Sequence, residues 1–118
     1  MFTIYHNPRC SKSRQTLALL EEQAQKSQQE VTIVEYLKVP LDHDKIQQLL
    51  TQLNCSALEM MRVKEAEFTE NNLKGASEEE LINAMANTAK LIERPIVTNG
   101  SKAITGRPPE NVLTFFKQ

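Results

Sequence analysis

The sequence predicts an α/β fold with a four-stranded mixed sheet and a helical insert between the second and third strands. Two short segments rich in β-branched residues, 2 to 5 and 31 to 37, flank a segment of helical periodicity. The middle of the chain, about 42 to 92, contains no convincing strand pattern. Near the end, an Asn-Gly dipeptide separates two further β-branched runs, which is typical of a hairpin.

The first part of the chain predicts a strand–helix–strand unit. "FTIY" is the first strand, and the turn-forming "HNP" follows it. Apolar residues then recur at helical spacing from Ser11 to about residue 25, with Ser11 or Ser13 as the expected N-cap. "VTIVEYL" is the second strand. Because a helix lies between them, we expect the two strands to be parallel, with a right-handed crossover.

The insert begins with a predicted helix capped by Asp42 or Asp44, and a later helix begins with Ser77 and Glu80 at the spacing of a capping box. Its remaining segments also have helical patterns.

The end of the chain predicts two antiparallel strands near 95 to 98 and 102 to 105. A last helix follows, with Pro108 or Pro109 in its first turn. This element order is compatible with a thioredoxin-like architecture enlarged by a helical insert.

Size and composition indicate one domain, residues 1–118, with an average globular content of 40% hydrophobic and 25% charged residues. A net charge of −1 gives no electrostatic footprint for nucleic acid. No apolar run is long enough for a membrane span, and no secretory signal pattern begins the sequence. We therefore expect a cytoplasmic protein with neither a nucleic acid nor a membrane partner. We also expect it to act as a monomer.

Two widely separated cysteines, Cys10 and Cys55, occur without the spacing of a metal site. We therefore expect no metal, and in a reducing cytosol no structural disulfide. Cys10 lies between a predicted strand and the start of a predicted helix, where a thiol pKa falls below the free value of about 8.5. The alternative is that Cys10 is a small buried apolar residue.

The residues around Cys10 favour a reactive thiol. Cations in the first turn of a helix oppose its dipole, so Lys12 and Arg14 are either solvated charges or part of an anion site; we prefer the anion site. The substrate-binding candidates in this segment are His6, Ser11, Lys12, Ser13 and Arg14. For His6 we prefer a hydrogen bond that fixes the turn over a cationic role.

The tetrad "CSKS" has the spacing of a C-x-x-C redox motif whose second thiol is replaced by Ser13. A thiol from elsewhere must therefore resolve any adduct on Cys10, and glutathione is the abundant candidate. Cys55 is a less favoured internal alternative, because it lies in a helical segment after apolar residues.

Four segments together resemble the ArsC family of glutaredoxin-coupled arsenate reductases: "YHNPRCSKSR", "MMR", "ERPIV" and "GRPPENVL". The resemblance covers essentially the whole chain in order. It implies a thioredoxin-like fold, Cys10 as the nucleophile on arsenate, and three catalytic arginines at Arg62, Arg94 and Arg107. It also implies that Pro95 lies at the site after a cis peptide bond, and that glutathione and glutaredoxin are partners, with no bound cofactor.

Two rival functions use the same scaffold. One is a non-catalytic thiol sensor resembling the Spx-type regulators, which carry C-x-x-C; Ser13 removes that switch and makes this function less favoured. The other is a glutathione-dependent thiol oxidoreductase with a substrate other than arsenate. Independently of the resemblance, the arginine fork suits tetrahedral oxyanions, and Arg94 and Arg107 flank one predicted hairpin.

Overall fold

The computed structural model describes residues 1–93 and 95–116. Strands form at β1 (Phe2–Tyr5), β2 (Val31–Val34), β3 (Ile96–Thr98) and β4 (Ala103–Thr105). The α-helices are α1 (Ser11–Lys26), α2 (His43–Leu53), α3 (Ala66–Glu70) and α4 (Glu78–Asn87). Short 3-10 helices occupy Leu58–Met60 and Ala89–Leu91, and a longer one occupies Pro109–Phe116. Among the described residues, no helix is both long and apolar enough to cross a membrane.

The chain divides into two compact units, residues 37–93 and a unit that combines 1–36 with the described part of 94–118. All four strands belong to the discontinuous unit, and the middle unit contains α2, α3 and α4. The helical segment therefore lies between the second and third strands, as predicted. That the whole chain is a single domain stays a prediction.

The sheet has the order β2-β1-β3-β4. β1 pairs parallel with β2, while β3 is antiparallel to both β1 and β4. The predicted four-stranded mixed sheet and parallel first pair are thus confirmed. The core of this unit combines strand residues with residues of α1 and of the last 3-10 helix: Phe2, Ile4, Leu20, Ala24, Val97 and Val112.

β2 is shorter than predicted, because it ends at Val34 rather than at residue 37. Its pairing with β1 explains the difference. The register ends with Tyr5 opposite Val34, and the His6 N–H donates a last backbone bond of 2.8 Å to the Val34 carbonyl. β1 offers no further partner, so the β-branched and aromatic pattern beyond Val34 has nothing to pair with.

The middle unit follows the predicted helix signals at both of its main helices. Asp42 is the N-cap of α2 and accepts a 2.8 Å bond from the Lys45 N–H. Ser77 caps α4 in a reciprocal capping box with Glu80. α2 and α4 bury apolar side chains of this unit's core, including Ile46, Leu49, Ile82 and Met85. An antiparallel bridge joins Met61 to Ile92.

Candidate active site

Cys10 is the N-cap residue of α1, directly after the turn that follows β1. Its backbone is extended, with φ −95° and ψ 123°, and its carbonyl accepts the first helical bond from the Arg14 N–H at 3.0 Å. The Cys10 N–H donates to the Asn7 carbonyl at 3.0 Å, which closes the turn. The thiol is thus held at the positive end of the dipole of a 16-residue helix.

The predicted N-caps of this helix, Ser11 and Ser13, are wrong. Ser11 is the first helical residue and is exposed, whereas Ser13 is fully buried inside the first turn. Ser13 is committed elsewhere, because its hydroxyl lies 2.6 Å from His6 Nδ1 and accepts a 3.0 Å bond from the Asn7 N–H. These two bonds tie the helix to the turn that carries the thiol.

His6 is also buried, and burial is the main cause that lowers the pKa of its imidazole. The Glu35 carboxylate acts in the opposite direction, and the Arg14 guanidinium lowers the pKa further. His6 is therefore neutral at pH 7, so the bond to Ser13, rather than a positive charge, describes its role.

Three basic residues surround Cys10 in sequence and lie on the exposed side of the turn. Arg9 and Lys12 are exposed. Arg14 is also exposed, and its Nη1 donates a 2.9 Å bond to the Pro8 carbonyl. This bond joins α1 to the turn before Cys10 on the solvent side. Ser11, Lys12 and Arg14 thus present polar or cationic groups at the helix N-terminus, the arrangement that favours an anion.

The loop after β4 lies against the first turns of α1. The buried Thr16 hydroxyl donates to the Lys12 carbonyl at 2.8 Å and lies 3.3 Å from the Gly106 carbonyl. Gly106 has no room for a side chain, because a Cβ atom would collide with Thr16 Oγ1 and lie 2.7 Å from Pro95 Cγ. The Gly106 N–H donates to the Pro95 carbonyl at 2.9 Å. The buried Pro95 and this loop therefore meet α1, the helix that Cys10 caps.

Arg107 follows Gly106 directly and is exposed, and its peptide bond to Pro108 is cis. The chain thus brings Cys10, Pro95 and Arg107 onto neighbouring segments of one unit. The predictions for Arg94 and for the bond between Arg94 and Pro95 lie outside the described residues.

Arg62 belongs to the other unit, where it follows the bridge residue Met61. Its N–H donates to the Leu91 carbonyl at 2.8 Å, and its guanidinium forms a 2.6 Å ion pair with the Glu65 carboxylate. Both side chains are about one quarter exposed. The Arg62 guanidinium, which is expected to bind an oxyanion, is thus paired with the Glu65 carboxylate of its own unit.

The two cysteines differ in environment, and neither forms a disulfide. Cys55 lies in the middle unit, where burial, and then the Glu59 and Glu78 carboxylates, raise the pKa of its thiol. In the part of the chain that the structure describes, no group of three or more acidic, histidine or cysteine residues could hold a metal ion.

Sequence reasoning did not identify Thr16 or Gly106 as residues that join α1 to the loop after β4. A signal existed for Thr16, which lies at i, i+4 and i+8 spacing with Leu20 and Ala24 on the buried side of α1. A hydroxyl on that apolar stripe requires a partner, and the partner is backbone. Gly106 gave no local signal, because its constraint comes from residues distant in sequence.

Together, the sheet order and a cysteine at the strand-to-helix turn define a thioredoxin-like protein with one thiol in the turn between β1 and α1. The model of the ArsC family matches residues 5–115, and the chain belongs to this family. It is 51% identical over 113 residues to the protein YfgD of Escherichia coli (strain K12), covering 93% of this chain and 92% of that protein.

Relatives named arsenate reductase match this chain over a similar length at lower identity. The Haemophilus influenzae protein is 44% identical over 114 residues, which is 93% of this chain and 94% of that protein. The solved structure of the arsenate reductase from Vibrio cholerae superposes with a TM-score of 0.89 at 44% identity, covering 96% of this chain and 95% of the other. These similarities confirm the family and the thioredoxin-like fold.

Proposed function

We propose that this protein reduces arsenate to arsenite, with Cys10 as its single nucleophile and with glutathione and glutaredoxin as the source of electrons. The observation that carries the proposal is the position of Cys10 at the N-cap of α1, beside the exposed cations Lys12 and Arg14. A helix N-terminus both stabilises a thiolate and attracts an oxyanion. The arsenate reductase names of the Haemophilus and Vibrio relatives support arsenate as the substrate.

The first step joins sulfur to arsenic. The Cys10 thiolate attacks the arsenic of arsenate, an S–As bond forms, and one As–O bond breaks. The departing hydroxide takes a proton and leaves as water, so arsenic is still As(V). Ser11, Lys12 and Arg14 at the start of α1 are proposed to hold the oxyanion, with His6 and Ser13 keeping the turn in place and Pro95 shaping its neighbouring wall.

The second stage transfers the electrons. Glutathione adds to the arsenic through its thiol with loss of a second water, which leaves arsenic bonded to both sulfurs. A glutaredoxin thiolate then attacks the glutathione sulfur, and the S–As electron pair stays on arsenic, which becomes As(III). Hydrolysis of the remaining S–As bond releases arsenite and restores Cys10. Glutathione and glutaredoxin leave joined by a disulfide, which accounts for the two electrons.

Arg62, Arg94 and Arg107 are proposed to contact the oxyanion and to stabilise the charge that develops as hydroxide leaves. For Arg107, support comes from the packing of Gly106 against Thr16 and Pro95, within the unit that carries Cys10. For Arg62 and Arg94, support comes from the family resemblance of their motifs. The reaction uses glutathione as a co-substrate and requires no resident metal or cofactor, and a reducing cytoplasm would supply both thiols.

A coupled assay tests the proposal with purified protein, arsenate, glutathione, glutaredoxin, glutathione reductase and NADPH. Wild type should consume NADPH in step with arsenite formation, and Cys10→Ser should be inactive. Cys55→Ser is the matched control, because it removes the other thiol and should retain wild-type turnover. Equal activity of wild type and Cys10→Ser would contradict the proposed mechanism.

The rival functions give different results in the same assay. Turnover of a model glutathione mixed disulfide, without turnover of arsenate, would favour a thiol oxidoreductase with another substrate. Inactivity towards both, with Cys10 still reactive towards oxidants, would favour a sensor.

A further inference from the structure

The loop that carries Arg107 is fastened to the last 3-10 helix by one side chain. Asn111 Nδ2 donates two hydrogen bonds, to the Thr105 carbonyl and to the Arg107 carbonyl, each of 3.1 Å. The Asn111 backbone N–H donates to the Pro108 carbonyl at 3.0 Å. One residue thus binds carbonyl groups on both sides of Gly106 and fixes the backbone from which the Arg107 side chain extends.

The opposite side of this loop is fixed to α1. The Thr16 hydroxyl lies 3.3 Å from the Gly106 carbonyl and also donates to Lys12, two residues after Cys10. No Cβ would fit at Gly106 without displacing Thr16 or Pro95. The loop is therefore held between α1, which Cys10 caps, and the 3-10 helix that contains Asn111.

We infer that Asn111 is a positioning residue for Arg107: its two side-chain bonds hold the loop backbone from which the Arg107 guanidinium reaches the oxyanion at Cys10. The inference rests on the proposed function for the role of Arg107 and for the identity of that oxyanion. A carboxamide is suited to this role because its nitrogen has two hydrogens, and the structure assigns one to each of two carbonyls. A misplacement of about 1 Å in a catalytic group costs up to about 100-fold in rate, so a distant backbone anchor can matter.

A double-mutant cycle tests whether Asn111 acts through Arg107. Asn111→Leu keeps the approximate size and removes both donors, and we expect it to lower kcat/KM for arsenate between about 10- and 100-fold. In the Arg107→Ala background the same substitution should have almost no further effect, because no guanidinium remains to be positioned. If Asn111→Leu lowers kcat/KM by the same factor in wild type and in Arg107→Ala, the inference is overturned. A merely structural role of Asn111 would have this effect, because it would not depend on the Arg107 guanidinium.

A second measurement does not depend on arsenate turnover. The ratio of Cys10 alkylation rates with iodoacetate, an anion, and with neutral iodoacetamide reports the cations around the thiol. Arg107→Ala and Asn111→Leu should each lower this ratio, and the double variant should match Arg107→Ala. If wild type fails to reduce arsenate while this pattern holds, the proposed substrate is wrong and the positioning role stands. If Asn111→Leu leaves the ratio unchanged, the positioning role is wrong.

The matched control is Asn71→Leu. Asn71 is an asparagine whose Nδ2 also donates to a backbone carbonyl, that of Glu67 at 2.7 Å, but it lies in the middle unit. Its loss should leave both the turnover and the alkylation ratio as in wild type. Asn111→Gln keeps the two donors on a longer side chain and should recover part of the activity lost in Asn111→Leu. Circular dichroism and melting curves confirm that each variant is folded at the assay temperature.

Discussion

Ser13 Oγ lies 2.6 Å from His6 Nδ1, and both side chains are buried next to the turn that carries Cys10. The same hydroxyl accepts from the Asn7 N–H. We predict that Ser13→Ala destabilises the protein by about 1 to 3 kcal/mol, because it leaves a buried imidazole nitrogen without its partner. Urea unfolding measures the change. Ser11→Ala, at an exposed position two residues earlier, is the control and should be near neutral; equal effects of the two substitutions would contradict the prediction.

The lowered pKa of His6 predicts a loss of stability in mild acid. Above the ordinary histidine pKa of about 6.5, His6 is neutral in both the folded and the unfolded protein. As pH falls below that value the unfolded chain takes up a proton that the buried His6 resists, so the free energy of unfolding decreases. Urea unfolding from pH 7.5 to 5 should show a steeper decrease for wild type than for His6→Gln. Parallel curves would show that His6 does not titrate in this way.

The His43 imidazole in the middle unit predicts the opposite pH dependence. Its Nε2 lies 2.8 Å from Glu79 Oε1 and its Nδ1 lies 3.5 Å from Asp44 Oδ1, and the contact with Glu79 is the main cause that raises its pKa. The ion pair of protonated His43 with Glu79 therefore stabilises the folded protein fully below about pH 6.5. This stabilisation is lost as the pH rises through the higher pKa that His43 has in the folded protein. The difference in melting temperature between wild type and His43→Gln should therefore be larger at pH 5.5 than at pH 8.5. A difference independent of pH would rule out the ion pair as its source.

The two thiols predict selective alkylation. Cys10, at a helix N-terminus with cationic neighbours, should have a pKa well below the free value of about 8.5, whereas the pKa of Cys55 is raised by burial. At pH 7, iodoacetamide should modify Cys10 first, as mass spectrometry of the digested protein would show. The pH midpoint of the reaction, measured in Cys55→Ser, gives the pKa of Cys10. A midpoint at or above the free value would remove the argument for a stabilised thiolate.

Lysine substitutions test whether arsenate reduction depends on bidentate contacts of the arginine guanidinium groups. Arg107→Lys and Arg94→Lys keep the charge and remove the bidentate geometry, which should cost about 2 to 3 kcal/mol of transition-state stabilisation. That cost corresponds to a roughly 30- to 160-fold lower kcat/KM for arsenate in the coupled assay. Arg9→Lys, at an exposed position to which no catalytic role is given, is the control. Activities of both variants within a few-fold of wild type would mean that these arginines are structural.

Local signals in the sequence were sufficient for most of the fold. The Asn99-Gly100 pair does lie between β3 and β4, where Gly100 has φ of +99°, a conformation that favours glycine. The capping box at Ser77 also formed as its spacing predicted. Each of these features depends on residues within a few positions of one another, so the sequence pattern contains the whole interaction.

The features that could not be predicted depend on residues distant in sequence. Ser13 looked like a helix cap because serine often is one, but its hydroxyl bonds His6, seven positions earlier across a turn. Gly106 is required by the side chains of Thr16 and Pro95, and only the folded chain brings these together. For the site, Cys10 was identifiable from its neighbours in sequence. The Arg62–Glu65 ion pair was not, because many oppositely charged residues at i, i+3 spacing never form an ion pair.

The sheet order has a consequence for how the protein is made. β1, the first of these four strands to leave the ribosome, is an inner strand that needs both β2 and β3 as neighbours, and β3 is more than ninety residues away in the chain. The middle unit is continuous, so its contacts can form as soon as residue 93 has emerged. The N-terminal segment therefore cannot complete its sheet until the C-terminal strands have been synthesised. Until then the Cys10 thiol stays accessible to oxidants and electrophiles, while the middle unit can already be folded.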